Sequence, residues 1–159
     1  MEQVTRIGRG MRPLLRLALP AACVWAWRQE VVILRRGGAL DAAQARTARS
    51  MGIAHPERIR LLRVEVVPPL SRLLRAIGGR LGIVSDATIG MTLRYGIFIQ
   101  SEHWQDRRLL VHEMAHVAQY ERLGGFRGFL SAYIAECIDP GYPHGPLECE
   151  ARRAELDHC

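Results

Sequence analysis

The chain of 159 residues reads as one α+β domain with a helical N-terminal arm. Two runs rich in β-branched and aromatic residues, 59–67 and 87–100, predict strands, while the segments around them carry helix formers and helix caps. A hydrophobic share of 48% is enough to build one core at this length, which argues against disorder of the whole chain.

Taken in order, residues 14–35 fit a helix broken near Pro20 and ended by Gly37-Gly38. Asp41 caps a helix that runs to Met51, filled with alanines. Residues 59–67 alternate as a strand that Pro68-Pro69 stops, and 70–77 form a short helix closed by Gly78-Gly79. Within 87–100, ATIGMTLRYGIFIQ, the second half is the strand. Asp106 then caps a helix from Arg107 to Leu123, terminated by Gly124-Gly125. A second helix covers 126–138 and stops before Asp139-Pro140-Gly141, and Pro146 opens the first turn of a last helix, 147–157. The single domain 1–159 thus divides into an arm, 1–55, and a core, 56–159.

Charge is unevenly placed. The net formal charge is +6, yet residues 1–80 hold 15 arginines against 5 acids and residues 81–159 hold 7 against 11. All 22 basic residues are arginine. Guanidinium suits phosphate, but no nucleic-acid motif accompanies the charge, so a nucleic-acid partner is not favoured. The complete absence of lysine reads more easily as codon bias in a GC-rich genome, and the basic half also allows peripheral contact with an anionic membrane. Arg6, Arg9, Arg12 and Arg16 precede the apolar stretch 17–27, which is too short to span a bilayer. No clean cleavage site follows it, and Ala21-Ala22-Cys23 only faintly resembles a lipoprotein box. Cys23, Cys137, Cys149 and Cys159 form no CxxC pair and read as free thiols. A cytoplasmic location is favoured over a membrane-associated or secreted one.

The chemistry sits in His112-Glu113-Met114-Ala115-His116. Histidines at i and i+4 share one helix face, with Cβ atoms about 5–6 Å apart, so both imidazoles can reach one ion. Glu113 is turned about 100° from His112, beside the metal rather than on it, where a carboxylate can act as general base. Apolar neighbours, Leu109 to Val111 and Met114 to Ala118, bury the helix, and a buried charged cluster needs a partner. A zinc ion meets that need. Catalytic zinc takes a third protein ligand, and PLECEA, 146–151, offers Glu148 or Glu150, which point to different sides of a helix.

RLLVHEMAHVAQYERLGG, preceded by TLRYGIFIQ and followed by PLECEA, resembles the gluzincin arrangement of zinc metallopeptidases. The strand and HExxH helix are similar to the HExxH domain, of uncertain function, associated with bacterial extracellular contractile injection systems. The tail Glu148 to Ala151 is similar to the ligand helix of HtpX-type membrane peptidases. The resemblance covers 87–153 and implies a zincin-like fold, with a small sheet packed on the HExxH helix and a following ligand helix. It implies Zn²⁺ held by His112, His116 and Glu148, a peptide or protein substrate, and Glu113 as base. It also implies that the strand before the HExxH helix is the cleft edge, to which an extended peptide pairs. Where HtpX-type enzymes carry an aspartate, four residues after the ligand glutamate, this chain has Arg152.

Tyr142 and His144, just before the ligand helix, are candidates to stabilise an oxyanion. Gln119 shares the face of His116 and is a candidate partner for it. Tyr120 and Tyr133 read as core or groove residues, and His103 as a residue bordering the cleft. A catalytically idle zinc module of a larger assembly would carry the same metal residues. The oligomeric state is left open.

Overall fold

The computed structural model describes residues 11–67, 88–141 and 143–159. The elements are α1 (Met11–Arg36), β1 (Gly38–Ala39), α2 (Ala42–Ser50), β2 (Arg60–Val64), β3 (Gly90–Leu93), β4 (Gly96–Gln100), α3 (Arg107–Arg122), α4 (Phe126–Glu136) and α5 (Pro146–His158). The α+β class is what the sequence predicts. The helix expected at 70–77 lies outside the described residues.

Among the described residues the sheet has the order β1-β2-β4-β3, with β2 and β4 parallel and the other pairs antiparallel. Successive side chains on a strand point to opposite faces, and here both faces are covered. Leu61, Ile97 and Ile99 join Leu110, Met114 and Val117 of α3 on one side. Leu93 and Phe98 join Ala26 and Ile33 of α1 on the other. Ile97 and Phe98 are 0% and 1% exposed, a burial worth about 2–3 kcal/mol each. The arm is therefore a layer of the fold, and β4 runs through its middle.

The local signals mostly hold. The Asp41 side chain accepts from the Gln44 amide while the Gln44 side chain accepts from Asp41 N–H, a reciprocal cap. Asp106 accepts from Leu109 N–H at the start of α3. Gly124 and Gly125 end α3 with φ of 78° and 90°, values glycine adopts without steric cost.

Three expectations need correction. Helix α1 runs through Pro20 unbroken; the proline is exposed, so its missing N–H and ring fall on the solvent side, while burial of Ala26, Glu30 and Ile33 holds the helix down. The first half of ATIGMTLRYGIFIQ is also a strand, β3, which forms a hairpin with β4 around Arg94-Tyr95. Consequently β4, the strand before the HExxH helix, is interior, and β3 is the edge among the described residues.

That hairpin turn has no turn signature, and Arg94 adopts φ of 58°, which disfavours a side chain. Helix α1 supports it. Glu30, 1% exposed, takes Arg94 Nε at 2.8 Å and a terminal nitrogen at 3.0 Å, and accepts from Tyr95 N–H at 3.2 Å. Arg94→Ala leaves this carboxylate buried without its cation, and stability should fall by about 3 kcal/mol in urea unfolding. The double variant Glu30→Ala/Arg94→Ala should cost less than the two singles together; additive costs would show the pair to be uncoupled.

Candidate metal centre

Helix α3 presents His112 and His116 one turn apart, with their ring centroids 4.9 Å apart. Helix α5 lies antiparallel against it: Arg107 reaches the carbonyl of His158 at one end, and Arg122 grips Glu150 near the other. The contact face of α5 is Glu148, Ala151 and Glu155, spaced i, i+3 and i+7 and so on one side of the helix. Ala151 is fully buried, and its small side chain lets the two helices approach.

The approach brings three donors together. His112 Nε2 and His116 Nε2 are 3.2 Å apart, His112 Nε2 is 3.4 Å from Glu148 Oε2, and His116 Nε2 is 3.4 Å from Glu148 Oε1. Ligands at about 2.0–2.1 Å from a tetrahedral zinc stand about 3.3 Å from each other. The two imidazoles and one carboxylate have donor types that zinc takes, and one ligand atom from each residue lies within 4.8 Å of the others, near enough to share one ion. Glu150, the alternative ligand, points away into its ion pair with Arg122, at 2.7 and 2.8 Å.

The outer ring nitrogens are already engaged. Gln119 donates its amide N–H to the carbonyl of Leu147 at 3.0 Å, which leaves its oxygen, 2.8 Å from His116 Nδ1, to accept from that nitrogen. His112 Nδ1 lies 2.8 Å from Glu155 Oε1, a carboxylate oxygen that accepts. Both Nδ1 atoms therefore carry hydrogen, which leaves each Nε2, on the side of Glu148, as the nitrogen that takes up a further proton or an ion. Such outer partners fix ring orientation and tautomer in metal sites.

Tyr133, from α4, donates its hydroxyl to Glu148 Oε1 at 2.6 Å, and its ring stands edge-on to His116. It therefore borders the site while also packing on the core cluster of Tyr120 and Phe129, as a core or groove residue does. Tyr120 is core, stacked on Phe129 at 3.8 Å between centroids. A shallow hollow lined by Tyr133, Glu136, Cys137 and Gly145 borders Glu148. Burial, with Glu148 and Glu136 nearby, pushes the Cys137 thiol up to about 11.

The cluster favours positive charge. Burial pulls the His112 imidazolium down, but the hydrogen bond to Glu148, the Glu113 and Glu148 charges and Glu155 outweigh it, raising His112 to about 9. Burial pushes the Glu148 carboxyl up, yet hydrogen bonds from His112, His116 and Tyr133 hold it well below the usual carboxylate range.

Glu113 is 4% exposed and packs against β3. Thr92 Oγ1 lies 2.7 Å from Glu113 Oε2 and 2.9 Å from Glu113 main-chain O; its one proton is best placed on the charged acceptor. At Gly90 a Cβ would collide with Glu113 Oε1, so glycine is what lets the strand lie against the carboxylate. These strand residues, with Tyr133 and Glu155, are missed in the sequence. Glu155 had a readable signal: it lies seven residues after Glu148, on the same helix face, and supplies the carboxylate that Arg152 does not.

His144 is exposed in the turn before α5, with its backbone bonded to Gly141 and Cys149, and is not among the clustered donors. Tyr142 lies outside the described residues. His103 ends a single turn after β4, half-buried, and the neighbouring Trp104 packs on the α3 side of the core.

Glu155→Gln and Gln119→Leu should each weaken zinc binding by about 10–100-fold, read by competition with a chromophoric chelator. The metal-free protein should also show a pH signature. A folded-state His112 value of about 9, above the ordinary 6.5, gives stability that is full below pH 6.5 and lost as pH rises through 9. In EDTA the urea midpoint should fall across that window by a loss on the order of 3 kcal/mol, and His112→Ala should flatten it. Zinc affinity should rise over the same window as the proton leaves His112. No family model, curated protein or solved structure matches the chain, so the likeness to gluzincins rests on the motif residues alone.

Proposed function

We propose that the protein is a zinc-dependent hydrolase, a metallopeptidase of zincin-like type that cleaves peptide bonds. The observation that carries this reading is the gathering of two imidazole nitrogens and one carboxylate with ligand atoms within 4.8 Å of one another, with a second buried carboxylate next in sequence to one of them. Held by His112, His116 and Glu148, zinc would supply Lewis acidity, polarising a carbonyl and easing deprotonation of water.

The rest falls to the chain. Thr92 occupies Glu113 Oε2, leaving Oε1 as the oxygen that takes a proton from the attacking water and returns it to the departing amine. Tyr133 and Glu155 keep Glu148 and His112 oriented, so neither ligand has to reorganise when charge develops at the site. Strand β3 carries Gly90 and Thr92 beside Glu113 and is the sheet edge among the described residues, so an extended peptide can add to it as a further strand. The cysteines are unpaired, which suits a reducing cytoplasm.

Purified protein should contain one zinc per chain, and His112→Ala should lose it, measured by elemental analysis; wild type without stoichiometric zinc overturns the reading. On a broad peptide library, Glu113→Gln at unchanged zinc content should be slower by about 10²–10⁴-fold. Zinc-loaded wild type that cleaves nothing would make the protein an idle zinc module, and equal cleavage by both proteins would remove Glu113 from its role.

A further inference from the structure

Among the described residues, four of the six exposed large hydrophobic ones lie on α1: Val24 at 50%, Trp27 at 53%, Val32 at 37% and Leu34 at 36%. Nothing in the metal centre accounts for them. The opposite side of the same helix buries Ala26, Glu30 and Ile33 against the sheet, so the outward direction of this stripe is fixed by the fold.

Val24, Trp27 and Leu34 stand at i, i+3 and i+10 and form one apolar stripe, and Arg28 and Arg35, seven residues apart, run alongside it. Among the described residues Arg28, Arg35 and Arg36 form no ion pair. Between Glu2 and Asp41 the only acid is Glu30, and that carboxylate is buried against Arg94. The outward face is therefore apolar and purely cationic.

We infer that this face of α1 docks on an anionic lipid bilayer, lying in the plane of the interface. Charge complementarity selects the occupant. Arginine stems can lie along the apolar boundary while their guanidinium groups stay at the level of the lipid phosphates, and tryptophan favours that same depth. An apolar stripe flanked by arginines on an exposed helix face fits a deformable anionic surface. Among the described residues no helix is long and apolar enough to cross a membrane, so the contact is one of surface attachment. The arginines at positions 6, 9, 12 and 16 would add attraction of the same sign.

The test is flotation of the full chain with vesicles of phosphatidylglycerol and phosphatidylcholine in equal parts, beside vesicles of phosphatidylcholine alone. Wild type should float with the first and not the second, and high salt should weaken the binding. Arg28→Glu/Arg35→Glu should bind roughly thirtyfold more weakly, and Val24→Ser/Trp27→Ser should also lose binding. Both variants change exposed side chains only, and an unaltered circular dichroism spectrum with unaltered urea midpoint confirms their fold. Equal flotation with neutral vesicles, or no flotation, overturns the inference. Unchanged binding by both variants would assign attachment to the first 16 residues and remove it from this face. Capture of polyglutamate in place of vesicles, lost in the Arg28→Glu/Arg35→Glu variant, would make the partner an acidic protein and overturn the lipid assignment.

Discussion

Two imidazole Nε2 atoms gathered on one carboxylate set the constraint on which the site is built. Each ring has its other nitrogen committed, His112 to Glu155 and His116 to Gln119, so neither can turn away without breaking a partly buried or buried hydrogen bond. The 3.2 Å separation of the Nε2 atoms is repulsive unless positive charge lies between or beside them. In the metal-free protein a proton on His112 plays that part, and Glu148, the Glu113 charge and Glu155 hold it there against the cost of burial. The docking of α5 on α3 depends on the same balance. Leu147 and Ala151 bury apolar surface there, but the ligand glutamate, its tyrosine and the bridging glutamine define the register.

Glu113 is positioned from the opposite direction. Glu30 on α1 stabilises the left-handed turn at Arg94, that turn sets β3 against β4, and β3 delivers Thr92 and the side-chain-free surface of Gly90 to Glu113. One carboxylate on the arm is thus connected to the orientation of another in the site through a chain of direct contacts. This explains why a basic, helix-rich N-terminal segment is a layer of the fold rather than an appendage, and why its buried face is strongly specified while its outer face is left with unpaired arginines.

How much was legible follows from where each constraint resides. HExxH, the Asp106 cap, the glycine stop of α3 and the Pro146 start of α5 are local, and each could be read from a handful of neighbouring residues. Glu148 could be narrowed to two candidates by helix geometry, with Arg122 deciding the fate of Glu150 in three dimensions. Tyr133, Thr92 and Gly90 act across elements, and nothing local distinguishes a tyrosine that orients a ligand from Tyr120, which fills the core. Strand β3 was hidden for a related reason: Arg94-Tyr95 has no turn chemistry of its own and borrows its conformation from a helix more than sixty residues earlier. Pro20 misled in the reverse sense, as a strong local breaker on the one face where packing does not suffer.

Charge accounting bears on which ion the centre suits. Glu155 is shared between His112 and Arg108, whose terminal nitrogen lies 3.4 Å from its second oxygen, so that carboxylate is balanced locally. Glu148 and Glu113 have no arginine paired with them; their partners are imidazoles, Tyr133 and Thr92. With both rings neutral the cluster carries two uncompensated negative charges in a largely buried setting, and burial of unpaired charge is costly. A dication neutralises both, whereas a monovalent ion or a single proton leaves one. Two imidazole donors at this spacing suit zinc better than magnesium or calcium, which prefer oxygen and larger coordination numbers.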